Sequence, residues 1–260
     1  MLLSIEQLHV DFDTYSGKKK VLKGVDLRID EGEMFGLIGE SGAGKSILAR
    51  SIIRMISFPG IISSGKIIFD DKNILELEDK EVEKIRGNEI STIVALPKTR
   101  LDPLVPVGQQ ILDVYRTHRM CTKKEAYERV IEILKDTSIN DPERRFHSYP
   151  HELSGGMAQR ILIAMAMITS PKLLIADDAT SGLDVTVQAQ VLDNMAQMVK
   201  EKKSAALIIT HDLGIVAQYC KKCAIMYEGK IVEKGNVVDV FLKPQHKYSQ
   251  KLIGSLGLIV

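Results

Sequence analysis

The 260-residue chain is 45% apolar and 27% charged, the proportions of a water-soluble globular protein of one or two domains. Lysine plus arginine (35) nearly cancels aspartate plus glutamate (34), which removes the bulk electrostatic case for nucleic acid or anionic lipid as a partner. The longest apolar runs, such as ILIAMAMI at 161–168, fall well short of the ~20 residues that span a bilayer, so any membrane association is expected through a partner.

The N-terminal stretch MLLSIEQLHVDF has neither the basic segment nor the long apolar run of a secretion signal. Three cysteines argue against a disulfide framework. Cys220 and Cys223 form a C-x-x-C pair, but with Cys121 far away they supply only half of a tetrahedral zinc site. Two reduced thiols near an element boundary are expected.

Residues 1–33 alternate apolar and polar positions, as in IEQLHVDF and VLKGVDLRI, around a Gly/Lys-rich turn. That period of two predicts half-buried antiparallel strands. From Met34 the pattern changes to short apolar runs separated by helical stretches. MFGLI (34–38), ISTIVA (90–95), LLIAD (173–177), ALIIT (206–210) and AIMY (224–227) read as buried strands of a parallel sheet. Between about 97 and 160 the strand signal gives way to helix. Within it, KKEAYERVIEILKDT (123–137) sets Ala126, Val130, Ile133 and Leu134 on one face.

GESGAGKS at 39–46 fits G-x-x-x-x-G-K-[ST], and it follows a predicted strand and opens a predicted helix. Gly39, Gly42 and Gly44 let the backbone turn its N–H groups inward, with Glu40, Ser41 and Ala43 between them, as an anion nest. The helix that follows, through Ile47, adds its partial positive end. Lys45 reaches the β- and γ-phosphates of a nucleoside triphosphate, and Ser46 offers a hydroxyl to Mg²⁺. The expected fold class is therefore α/β: a P-loop NTPase core with a mostly parallel sheet, an N-terminal antiparallel β subdomain, and an inserted α-helical subdomain. The domain boundaries expected are 1–96 and 161–240 for the ATP-binding core (β subdomain about 1–33), 97–160 for the helical insertion, and 241–260 for a C-terminal tail.

A second apolar strand ends in two adjacent carboxylates, Asp177 and Asp178. Beside a phosphate loop the first is expected to hold Mg²⁺, and the second to orient or deprotonate the attacking water. Upstream, ELSGGMAQR (152–160) sets a serine and two glycines before a helix, a second terminus with exposed N–H groups.

With these motifs in this order, the chain resembles the ATP-binding subunits of ABC transporters. LSGGM matches their signature, LLIADD their metal-binding strand, SGLD (181–184) their D-loop, and ITHD (209–212) carries their switch histidine, His211. A narrower likeness joins GESGAGKS, YPHELSGGMAQR, LDVTVQAQVLD and KPQHKYSQKL to the ATPases of oligopeptide, dipeptide and nickel importers. Some larger members carry a cysteine-bearing C-terminal extension, whereas this sequence stops at Val260. The resemblance implies a head-to-tail dimer with ATP sandwiched between subunits, so that Ser154, Gly155, Gly156 and the D-loop Asp184 serve nucleotide at the shared interface. It also implies transmembrane permease subunits, an extracellular solute-binding protein reached through them, and a peripheral place on the cytoplasmic face of the membrane. His211 would contact the γ-phosphate. Phe12 fits the family spacing for the aromatic that stacks on adenine, with Tyr15 the alternative.

Two departures stand out. The family places Gln-Asp-Pro after the strand entering the helical insertion; here Ala95 and Leu96 take the glutamine and aspartate positions. The family also places glutamate and proline after the metal-binding aspartate, where this chain has Asp178 and Ala179. Aspartate keeps the charge but withdraws it by about 1 Å, a misplacement that can cost roughly a hundredfold in rate. ATP binding with slow hydrolysis at the chain's own site is the expectation, and it suits a heterodimer whose other chain pairs with the intact LSGGM. A hydrolysis-deficient, ATP-clamping half of such a complex is the second reading. A soluble ABC ATPase of DNA repair or ribosome work is the third, and the neutral charge and lack of long coiled-coil segments argue against it.

Overall fold

The computed structural model describes residues 1–15, 17–94, 99–201 and 203–254. The chain opens with β1 (Leu3–Thr14), β2 (Gly17–Ile29), β3 (Met34–Ile38), α1 (Lys45–Ile52), β4 (Gly60–Phe69), β5 (Lys72–Asn73) and α2 (Asp79–Ile85). Then come β6 (Ile90–Val94), α3 (Val107–His118), α4 (Lys123–Asp136), α5 (Pro142–Phe146), α6 (Gly155–Met167), β7 (Leu173–Asp177) and α7 (Val185–Glu201). It closes with β8 (Ala205–Thr210), α8 (Leu213–Tyr219), β9 (Lys222–Tyr227), β10 (Lys230–Asn236), α9 (Val237–Leu242) and α10 (Lys247–Gly254). The chain divides into two compact units, Met1–Glu83 with the chain from Ala205 onward, and Lys84–Ser204.

In the first unit an antiparallel sheet runs in the order β2-β1-β4-β5. β4 and β5 lie outside the pair that the N-terminal alternation predicts. Leu3, Ile5, Leu8 and Val10 of β1 are buried, each contributing about 1.5–3 kcal/mol of hydrophobic stabilisation. Ile5 and Leu8 are three residues apart, which a period of two would send to opposite faces. A register shift between them, with Gln7 at φ 45°, restores the common face. Asp11 of the same strand is buried and ion-pairs with Lys18 of β2 at 3.5 Å.

The same unit holds a second set of strands in the order β10-β9-β3-β8. β3 pairs in parallel with both β8 and β9, and β10 turns back antiparallel on β9. Phe35, Leu37 and Ile38, the run Ala205–Ile209, and Cys223–Met226 are all buried, the continuous apolar pattern of strands covered on both faces. Burial pushes the thiols of Cys220 and Cys223 up to about 12, reinforced at Cys220 by the neighbouring Cys223 and Glu33. Both cysteines are free thiols packed in the core and stay protonated at neutral pH.

The second unit pairs β6 with β7 in parallel, Val94 opposite Asp177, and carries the helices α3 to α7. α4 begins with a capping box: Thr122 accepts the N–H of Glu125, whose carboxylate accepts the N–H of Thr122. Its buried residues are Ala126, Val130, Ile131, Ile133 and Leu134, the face expected from the spacing with one neighbour added. α6 is buried along most of its circumference, from Ala158 to Met167, as a helix apolar on all sides must be. Among the described residues no helix is long and apolar enough to cross a membrane.

Candidate functional site

The phosphate-loop motif leaves the C-terminal end of β3 and runs into α1. A side chain at Gly39 would collide with the carbonyl oxygen of Met226, at the end of β9, so only glycine lets the loop leave between the two strands. Gly44 caps α1 at φ 108°, and a Cβ there would lie 2.9 Å from Leu22 Cδ2. The positive φ is what demands glycine at position 44.

α1 starts with no side-chain cap and no acidic residue in its first turn. Its leading N–H groups keep their partial positive charge for an anion. The loop is braced from below, because Gly229 N–H donates to the Ala43 carbonyl at 2.9 Å. Lys45 is only 7% exposed, and its Nζ donates to the carbonyl oxygens of Gly39 (2.7 Å) and Glu40 (3.0 Å). The ammonium is thus held across the loop. Glu40 and Ser41 are exposed, Ala43 is buried, and Ser46 and Ile47 are half-buried at the start of α1.

His211 follows β8, whose Thr210 pairs with Ile38, the residue before Gly39. The parallel register therefore brings His211 and the phosphate loop out at the same edge of the sheet, the edge where α/β folds bind ligands. His211 is exposed. The turn after it is fixed by Asp212, whose carboxylate caps α8 by accepting Gly214 N–H at 2.8 Å and whose own N–H donates to Thr210 Oγ1 at 3.0 Å. Phe12 is half-buried in the antiparallel sheet, its ring edge over Gly60, which a side chain at that position would strike. Tyr15 stands fully exposed at the β1–β2 turn.

The other residues singled out belong to the second unit. Asp177 ends β7 half-buried, and Asp178, also half-buried, takes φ 49°, a left-handed conformation in which aspartate is several-fold enriched over longer side chains. Ala179 behind it is buried. Ser154 caps α6, its Oγ accepting Met157 N–H at 3.2 Å. Gly155 is exposed with no neighbour inside 4 Å of a built Cβ, whereas a Cβ at Gly156 would lie 2.7 Å from Val187 Cγ1 on α7. Asp184 caps α7 by accepting Val187 N–H at 3.0 Å. Signature helix and D-loop helix are tied further by Arg160, whose guanidinium donates to Ser138 O (2.9 Å) and Gln190 Oε1 (2.5 Å). No periodicity in the sequence marks that link. Ala95 and Leu96 lie outside the described residues.

The family model described as ABC transporter matches residues 22–181 of the chain. The oligopeptide transport ATP-binding protein OppD of Bacillus subtilis is 42% identical over 98% of this chain and 72% of its own length. The dipeptide transport ATP-binding protein DppD of Lactococcus lactis is 40% identical over 99% and 74%. Among solved structures, cbiO1 of Clostridium perfringens, part of the ABC transporter complex cbiONQ, superposes with a TM-score of 0.79 at 29% identity, covering 99% of each chain. The cassette MJ0796, solved as a dimer bound to ADP and Pi, shares the fold with a TM-score of 0.81 at 23% identity, over 91% of this chain and 99% of its own. With its glycine turn, the lysine held across it, an acid ending β7 and a second directly after it, the chain belongs to the ABC transporter family, as an ATP-binding cassette of α/β fold with a P-loop NTPase core.

Proposed function

We propose that the chain is the ATP-binding and hydrolysing subunit of an importer for oligopeptides or dipeptides, the solutes in the names of its relatives. The observation that carries the nucleotide part is the uncapped start of α1 behind the glycine turn, with the buried Lys45 ammonium across it and His211 leaving the adjacent strand. On this reading residues 1–96 and 161–240 form the ATP-binding core, 97–160 the helical insertion and 241–260 the tail.

The loop N–H groups and Lys45 bind the phosphates, Phe12 meets the adenine, and His211 contacts the γ-phosphate. Ser46 and Asp177 would hold Mg²⁺. A hydroxyl and a carboxylate are hard oxygen donors suited to that ion, and Mg²⁺ is ordinarily held by one or two protein oxygens together with substrate phosphates. When bound, the ion neutralises charge developing on the phosphates. Asp178 orients the attacking water from a withdrawn position, so hydrolysis at this site is slow.

Ser154, Gly155 and Gly156 face the nucleotide of a second ATPase subunit in a head-to-tail dimer, and a partner of different sequence would supply the faster site. The Gly155→Asp variant tests this. The position is exposed, and an acid in the first turn suits the helix dipole, so folding is preserved. A carboxylate pointed at the partner's triphosphate should lower hydrolysis by the assembled complex tenfold or more while this chain's own ATP affinity stays within twofold. Unchanged hydrolysis would remove the head-to-tail assignment. A clamping, hydrolysis-deficient role is the second reading, favoured by the short Asp178 side chain. Activity that appears only in the assembled complex and survives Asp178→Asn would select it.

The permease contact is proposed on the second unit, at an apolar groove of about 580 Å³ lined by Pro106, Leu112, Tyr127 and Phe146, with Lys123 and Lys124 at its rim. Its occupant on this reading is a short amphipathic helix with acidic flanks. Replacing both lysines with glutamate at the exposed start of α4 should reduce co-purification of membrane subunits at least fivefold without altering ATP affinity. Equal recovery would move the dock elsewhere.

A further inference from the structure

One contact of the phosphate loop reaches almost to the other end of the sequence. Glu40 N–H donates to the hydroxyl of Tyr248 at 3.1 Å, across 208 residues of sequence. Tyr248 is 9% exposed and lies on α10, near the end of the described chain. Its ring stacks on Tyr227, with centroids 4.1 Å apart and planes at 27°.

α10 is itself held in register by β10. The Glu233 carboxylate accepts the N–H groups of Gln245 (2.9 Å) and His246 (3.1 Å), and His246 Nδ1 accepts the N–H of Tyr248 (3.1 Å). The end of β9 and the turn after it support both partners: Met226 O abuts Gly39, Tyr227 stacks on Tyr248, and Gly229 N–H holds Ala43 O.

The consequence follows from peptide planarity. Glu40 N–H and Gly39 C=O belong to the same rigid peptide unit and point in opposite directions. The N–H is held by Tyr248, and the C=O accepts Lys45 Nζ at 2.7 Å. A hydroxyl on one side of that plane therefore sets the direction of the acceptor that places the ammonium on the other. We propose that Tyr248 is a positioning residue for Lys45, acting through the Gly39–Glu40 peptide plane. α10 thereby becomes part of the nucleotide site without touching nucleotide. The inference rests on the reading that Lys45 binds the phosphates of ATP.

The test is a double-mutant cycle on the full chain, with ATP and pyrophosphate as ligands. Tyr248→Phe keeps the stacked ring and removes only the hydroxyl. It should weaken both ligands threefold to tenfold, the range of one lost hydrogen bond, raise KM with kcat within twofold, and speed amide exchange at Glu40. In a Lys45→Ala background the same change should add less than twofold, because the group being positioned is gone. Equal weakening in both backgrounds, or none in either, with melting temperature alone affected, overturns the inference and leaves the ATP reading intact. Wild-type and Lys45→Ala chains that bind ATP equally would overturn the reading beneath it. Tyr248→Ala, which also removes the stack, should weaken binding at least as much as Phe, and a variant with undiminished affinity again counts against the inference.

Discussion

Replacing Lys45 with alanine should weaken ATP binding by about 10²–10⁴, measured by equilibrium titration of the full chain. The size follows from the bonds lost. Hydrogen bonds to charged groups contribute about 1.5–3 kcal/mol each, and an ammonium between two phosphates makes at least two. Stability should change little. Lys45 is buried, so its charge is desolvated in the free protein, and removing that cost offsets the bonds its ammonium makes, those to the Gly39 and Glu40 carbonyls included. Selectivity for phosphate number provides a second readout. ATP and ADP should lose far more affinity than adenosine, whose contacts are assigned to Phe12. An alanine variant retaining nucleotide with undiminished affinity would mean that the glycine turn holds something other than a triphosphate.

That prediction was available from eight contiguous residues, because a P-loop is local chemistry: three glycines, a lysine and a hydroxyl at fixed spacing before a helix. The buried strands were legible for the same reason, since an apolar run between turn signals declares itself along the chain. The features that stayed hidden depend on what meets what. The bulge that returns Ile5 and Leu8 to one face is set by pairing with β2 and β4, not by the spacing of apolar residues. The register that brings Thr210 beside Ile38 decides where His211 emerges, and a strand-ending histidine alone does not disclose it. Tyr248 sat within KPQHKYSQKL, legible as a likeness to importer ATPases but not as a contact, because its acceptor role joins positions 208 apart. Asp184 illustrates a different limit. The D-loop motif marks it for the dimer interface, yet in the chain itself its carboxylate already caps α7. The left-handed backbone at Asp178 also has no signature in LLIADDAT.

Asp178 carries the second large effect. If its carboxylate positions the attacking water from a withdrawn place, Asp178→Asn should slow single-turnover hydrolysis in the assembled complex by about 10², the lower end of what a positioned base contributes. Asp178→Glu should do the reverse, gaining about tenfold, because one methylene restores roughly 1 Å of reach where a displacement of that order costs about a hundredfold. The gain is smaller than the full correction because the backbone opposes it. Position 178 sits at φ 49°, where aspartate is tolerated through local hydrogen bonding of its short side chain and a longer residue is strained by about 1 kcal/mol. That strain should appear as a melting temperature lowered by about 2–4 °C in a chain of this size, with ATP affinity unchanged. Faster hydrolysis in a slightly less stable protein would identify the short side chain as a compromise between backbone conformation and reach. A glutamate variant no faster than aspartate would show that distance is not what limits the rate. An asparagine variant indistinguishable from wild type would show that Asp178 takes no part in hydrolysis at this site.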